Sequence, residues 1–175
     1  YPLRRQRQMC IRDRPLTVLG GFLRNGFLHR VIREQGGAYG GGASQDSNTA
    51  SFKLFSYRDP RLVETLKDFD ASIEWLLTED HSPQPLEEAI LGVVSSLDKP
   101  SSPAGEAKQT FHAELFGRDR FKRETFRQQV LEVTIDDLKR VAKTYLTSND
   151  ASIALVTGNN QLEAVKELGL DIINL

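Results

Sequence analysis

Several features are scarce or missing in this 175-residue sequence, and each scarcity closes a class of explanation. A single cysteine, Cys10, excludes a disulfide scaffold and any cysteine-built zinc ribbon. No apolar run approaches the roughly 18 residues that a membrane-spanning helix requires, so no membrane partner is expected. The formal net charge is only −1, which argues against nucleic acid as the main partner. Three histidines, His29, His81 and His112, stand far apart. None forms the H-x-x-E-H or H-E-x-x-H pair that sets two imidazoles on one helical face, so the chain by itself is not expected to hold a metal. No G-x-S-x-G elbow supports a serine nucleophile, and no repeat of 20–50 residues is present.

What is there is the composition of a globular protein, 39% hydrophobic and 27% charged. The near-neutral total hides a split. Residues 1–35 carry eight arginines against Asp13 and Glu34, a local charge of +6, which leaves −7 for the rest. Residues 1–14 show no amphipathic period and hold the only Met and Cys, Met9 and Cys10. They contain no secretory-type apolar core. They read as a basic tail, non-native or disordered, ahead of one domain over 15–175.

From Leu16 the apolar residues Leu19, Phe22, Leu23, Phe27, Val31 and Ile32 recur at helical spacing, with Pro15 in the first turn and Gly36-Gly37 as the stop. Gly20, Gly21 and Gly26 each cost a helix about 1 kcal/mol relative to alanine. Such residues imply that another backbone packs close by and that this helix is deeply buried. Ala38–Ser44 and Ser51–Tyr57 are expected to form an antiparallel hairpin across a polar turn at Gln45–Asn48. The second strand would have both faces partly covered, Phe52 and Leu54 on one side, Phe55 and Tyr57 on the other.

Asp59 as N-cap and Pro60 as first residue are read as opening a helix along Leu62, Leu66, Phe69, Ile73 and Leu76, with Trp75 to one side. Further helices follow over 86–97, 104–117 and 120–131, and from a Thr134–Asp137 capping box to about Leu146. Ser152–Thr157 reads as a short buried strand, Leu162–Leu168 as a last helix, and Asp171–Leu175 as a terminal strand or frayed end. Clustered helices with few strands give the α+β class, one mainly antiparallel sheet faced by helices.

The run Gly36-Gly37-Ala38-Tyr39-Gly40-Gly41-Gly42 is the most unusual feature. A phosphate cradle needs a strand before its glycines and a helix after them, and the order here is reversed. Three readings stay open: nucleotide binding in spite of that order, a plain hairpin edge, or an extended edge at Gly40 and Gly41 along which a peptide backbone lies. Arg33 and Tyr39 flank the run. Either they are a helix-end cation and a half-buried strand aromatic, or they hold a carbonyl and stabilise an oxyanion.

Phe22–His29, followed by Ile32-Arg33-Glu34-Gln35-Gly36-Gly37-Ala38-Tyr39-Gly40-Gly41-Gly42, closely resembles the C-terminal half of pitrilysin/insulinase-type zinc metallopeptidases of the presequence-protease branch. Ser56–Pro60 and Leu97–Pro100 resemble that branch as well, and the likeness extends over about 16–175. The resemblance implies a domain of the LuxS/mitochondrial-processing-peptidase-like metallohydrolase type. It implies a substrate of short unstructured peptides. It also implies zinc held by an N-terminal catalytic half, the partner that this chain would complete. It carries a catalytic role onto Tyr39, as oxyanion donor, and onto Arg33 a substrate-binding role, holding the substrate backbone, or the orienting of Tyr39. With no zinc motif of its own the chain is expected to be inactive alone. The alternative is a noncatalytic peptide-binding or scaffold subunit. The location implied is intracellular, cytoplasmic in a bacterium and an organellar matrix in a eukaryote.

Overall fold

The computed structural model describes residues 13–46, 49, 51–115, 117, 120–147 and 151–173. The basic tail, except for its last two residues, and Ser47-Asn48 of the expected turn lie outside them. The first helix, α1 (Asp13–Leu23), runs straight into a π-helix over Arg24–Gln35. The hairpin strands β1 (Gly40–Asp46) and β2 (Ser51–Tyr57) follow. Then come α2 (Val63–Thr78), α3 (Pro83–Leu97), α4 (Pro103–Leu115), α5 (Arg120–Leu131) and α6 (Ile135–Tyr145). A 3₁₀ turn at Asn159–Gln161 leads into the short α7 (Leu162–Glu167). This is an α+β domain with an antiparallel β1–β2 pair registered Gly40↔Tyr57 through Asp46↔Ser51.

The α1 helix is the centre of the core. Val18, Leu19, Phe22 and Leu23 are at most 1% exposed, which fits the burial that its glycines imply. A Cβ on Gly20 would meet the Ala43 carbonyl oxygen and the Ser44 Cα at 3.2 Å, so the β1 backbone lies directly on the helix. On a neighbouring face Gly21 admits Ala89 of α3, where a Cβ would meet the alanine methyl at 3.6 Å. Gly26 makes room for Trp75 of α2, whose ring stacks on Phe22 at 5.4 Å and tilts against Phe27 at 5.7 Å. Trp75 is therefore packed against the core rather than set aside from it. Val130, Leu138, Val141 and Ala142 complete the core from α5 and α6, with Val133 from the link between them.

The capping box forms with aspartate in the usual glutamate position. Thr134 Oγ1 accepts from the Asp137 N–H at 3.2 Å, and Asp137 Oδ2 accepts from the Thr134 N–H at 3.2 Å. Four expectations need correction. The 24–35 stretch is helical, but it winds as a π-helix, which an apolar stripe at intervals of four does not distinguish. Helix α2 begins at Val63, and its N-cap Leu62 carries no side-chain cap. Asp59 instead closes the turn after β2, as described below. The β2 strand is covered on one face only: Phe52, Leu54 and Ser56 turn inward while Lys53, Phe55 and Tyr57 are exposed. Ser152–Thr157 forms no strand, and Ile153 and Val156 are 43% and 93% exposed. A strand needs a neighbour for its N–H and C=O groups, and none pairs with 152–157 among the described residues.

Candidate functional site

The π-helix ends where the glycine run begins. Gly37 takes φ +80°, a left-handed conformation that glycine adopts without steric cost. Its N–H donates to the Arg33 carbonyl at 3.2 Å, and the Ala38 N–H reaches back to Ile32 at 3.1 Å. This cap reverses the chain. It sets Arg33 in the last helical turn and Tyr39 just before β1, on opposite sides of one tight bend.

Both side chains are exposed, Tyr39 by 68%. Tyr39 is thus not the half-buried strand aromatic of one sequence reading. Its hydroxyl has no hydrogen-bond partner among the described residues, so a donor stands free at the head of β1. Arg33 does not reach Tyr39. Its Nη1 lies 3.0 Å from His29 Nε2, and His29 Nδ1 lies 3.3 Å from Glu34 Oε1.

Gly40 and Gly41 differ in what they permit. A Cβ on Gly41 would meet Ile32 Cγ2 at 2.8 Å and the Phe55 carbonyl oxygen at 3.2 Å, so internal packing alone demands a glycine there. A Cβ on Gly40 would meet nothing within 4 Å. The side away from β2 has no strand partner among the described residues, leaving β1 an open edge of the type that pairs with an added strand.

Tyr57 and Arg58 were not singled out by the sequence. The Tyr39 and Tyr57 rings meet edge-on at 5.8 Å, and the Arg58 guanidinium carbon lies 5.7 Å and 5.4 Å from the two ring centroids. The one available signal was the Ser56–Pro60 string, which says nothing about backbone conformation. Below this cluster Asp59 ties the turn together. Its carboxylate accepts from Ser56 Oγ at 2.6 Å, Thr65 Oγ1 at 2.7 Å and the Arg61 N–H at 3.0 Å. Burial pushes the Asp59 pKa up, but those three bonds and the charge of Arg61 outweigh it and hold it below the ordinary 3.8.

The three histidines stand at separate places in the fold. His29 is engaged as above. His81 Nε2 donates to the Leu76 carbonyl at 3.0 Å and packs edge-on against Trp75 at 4.5 Å, capping α2. His112 lies exposed beside Phe111 on α4. No group of three or more potential ligands gathers among the described residues. No helix among them is long and apolar enough to cross a membrane.

An arginine, a free phenol and an open glycine edge, joined by one bend, coincide with a match to the PreP C-terminal domain model over residues 11–158. This chain belongs to the PreP C-terminal domain family. Among curated relatives, the mitochondrial presequence protease of Yarrowia lipolytica is 43% identical over 134 residues, 77% of this chain. That of Kluyveromyces lactis is 38% identical over 144 residues, 82% of the chain, and that of Mus musculus 35% over 145 residues, 78% of the chain. The PreP C-terminal domain described here spans only 13–14% of the length of these relatives.

Proposed function

We propose that this domain is the substrate-holding, oxyanion-stabilising part of a longer zinc metalloendopeptidase of the pitrilysin/insulinase type that degrades short unstructured peptides. What carries the reading is Tyr39, an exposed phenol that, among the described residues, has no hydrogen-bond partner and stands at the mouth of a glycine edge with no strand partner, in a chain of the PreP C-terminal domain family. In this reading a peptide lies extended along Gly40 and Gly41 and adds a strand to β1. Arg33 holds a backbone carbonyl of that peptide, and the Tyr39 hydroxyl donates to the scissile carbonyl oxygen.

The chemistry favours a phenol there. As water adds to the carbonyl, charge builds on the oxygen, and a fixed O–H donor gains strength at that moment. Zinc and the group that activates water belong, on this proposal, to the N-terminal half of the complete protein, since no group of three potential ligands gathers among the residues described here. The relatives' names, presequence protease and mitochondrial, support peptide substrates and an organellar matrix in a eukaryote.

Steady-state kinetics of the complete protein carrying this domain tests the reading. Tyr39→Phe keeps the ring and removes the donor, so kcat should fall by about 10²–10³. Arg33→Ala should also raise KM, because a carbonyl-holding cation binds the ground state too. A folded Tyr39→Phe enzyme with kcat within about threefold of the parent, a difference of ~0.7 kcal/mol, would refute the catalytic role. The noncatalytic peptide-binding reading would then stand.

A further inference from the structure

Arg58 combines four features that the proposed chemistry above does not use. It has a φ of +49°, the one non-glycine residue in the left-handed region among those described. Its carbonyl accepts the Tyr39 N–H at 3.3 Å. Its guanidinium lies within 6 Å of both the Tyr39 and Tyr57 ring centroids, inside the range at which a cation is drawn to an aromatic quadrupole. No carboxylate pairs with it among the described residues, so the two phenols are its partners.

The surroundings fix this arrangement from below. Tyr57 is held by the strand ladder opposite Gly40. One residue beyond Arg58, Asp59 is locked by Ser56, Thr65 and the Arg61 N–H. Between these two anchors the backbone has to turn at Arg58, and a left-handed conformation at a non-glycine residue persists only where its neighbours over-determine it. The turn directs one carbonyl at the Tyr39 backbone and one guanidinium at the Tyr39 ring. Tyr39, otherwise exposed, is thereby held at its backbone and its ring, while its hydroxyl has no partner among the described residues.

We propose that Arg58 is a positioning residue for Tyr39, bracing the ring against Tyr57 so that the phenol stands at the head of the open β1 edge. The inference rests on the catalytic reading of Tyr39 for its kinetic consequence, although its geometry is independent of that reading. A donor that stabilises a developing charge works best when its direction is set beforehand. Removing the brace should therefore cost turnover more than substrate binding.

Arg58→Gly is the decisive variant, because glycine is at ease at this φ and removes the side chain, guanidinium included, without straining the turn. In the complete protein kcat should fall about tenfold, the factor that ~1.4 kcal/mol of lost transition-state stabilisation produces, with KM little changed. Arg58→Lys, which keeps a cation over the rings, should recover most of the loss. In a Tyr39→Phe background Arg58→Gly should cost nothing further, as expected of groups acting as one unit.

A second readout needs no turnover. In the NMR spectrum of this chain, ring currents should displace the Arg58 δ-methylene protons from their random-coil shift, and Arg58→Gly should loosen the Tyr39 ring. Random-coil shifts for those protons would overturn the proposal whatever the kinetics. So would parental kcat in Arg58→Gly while Tyr39→Phe shows its full loss. Parental kcat in Tyr39→Phe would instead overturn the catalytic reading, and with it the kinetic role assigned to Arg58.

Discussion

The Arg33 guanidinium rests on His29, with Nη1 3.0 Å from Nε2. A guanidinium only donates, so Nε2 has to accept, and in the neutral ring the proton sits on Nδ1. That nitrogen faces Glu34 Oε1 at 3.3 Å. Glu34, His29 and Arg33 thus form one line of polar contacts along the outer side of the π-helix. The prediction is that ¹⁵N–¹H correlation of the chain with neutral histidines shows His29 as the Nδ1–H tautomer. Finding the Nε2–H form would break the line at its centre and leave Arg33 unanchored.

Adjacent glycines should respond oppositely to alanine. At Gly41 the added methyl runs into Ile32 and the β2 backbone, and overpacking of this kind costs about 1–3 kcal/mol. At Gly40 it enters open space, so stability should stay within about 0.5 kcal/mol, as for an ordinary surface change. Urea denaturation of both variants checks this. If the proposed docking of a peptide along β1 is right, Gly40→Ala should weaken peptide binding in a fully folded protein. Similar unfolding midpoints for the two variants would contradict the packing at Gly41.

The carboxylate of Asp59 should make a pH-dependent contribution to stability. Its side chain is 9% exposed and its pKa is depressed in the folded state. A group depressed on folding stabilises the protein above its unfolded pKa, and that contribution is lost as pH falls through about 4 and below. Asp59→Asn should therefore destabilise by about 1–3 kcal/mol near neutral pH, the range for a hydrogen-bonded charged group. The difference from the parent should shrink in acid. Denaturation at pH 7 and pH 3 decides the matter: an equal gap at both values would mean that the hydrogen bonds do not depend on the charge.

How much of this was legible beforehand follows from the range of each interaction. The buried glycine helix, the hairpin and the Thr134–Asp137 box are written in spacings of two to four residues, and all three form. Asp59 shows where that logic stops. Followed by proline, it reads as a helix cap, yet its three donors are Ser56, Arg61 and Thr65. The third of these is a side chain on the helix that Asp59 was expected to open. The Ser152–Thr157 segment fails in another way: its β-rich pattern is real, but a pattern supplies no partner strand.

The sequence by itself determined the α+β class, the helix buried by its glycines, and the string from Arg33 to Gly42 that belongs to the PreP C-terminal domain family. Tertiary structure alone decided that Tyr39 is exposed, its hydroxyl without a partner among the described residues, and that Arg58 reaches over the Tyr39 ring as well as that of its neighbour Tyr57. The reason is physical. Periodicity and capping act within a few residues and leave a trace in the order of amino acids. The position of Tyr39 depends instead on a left-handed cap at Gly37, a strand register that sets Tyr57 opposite Gly40, and a turn locked by Asp59. These meet only once the chain has folded.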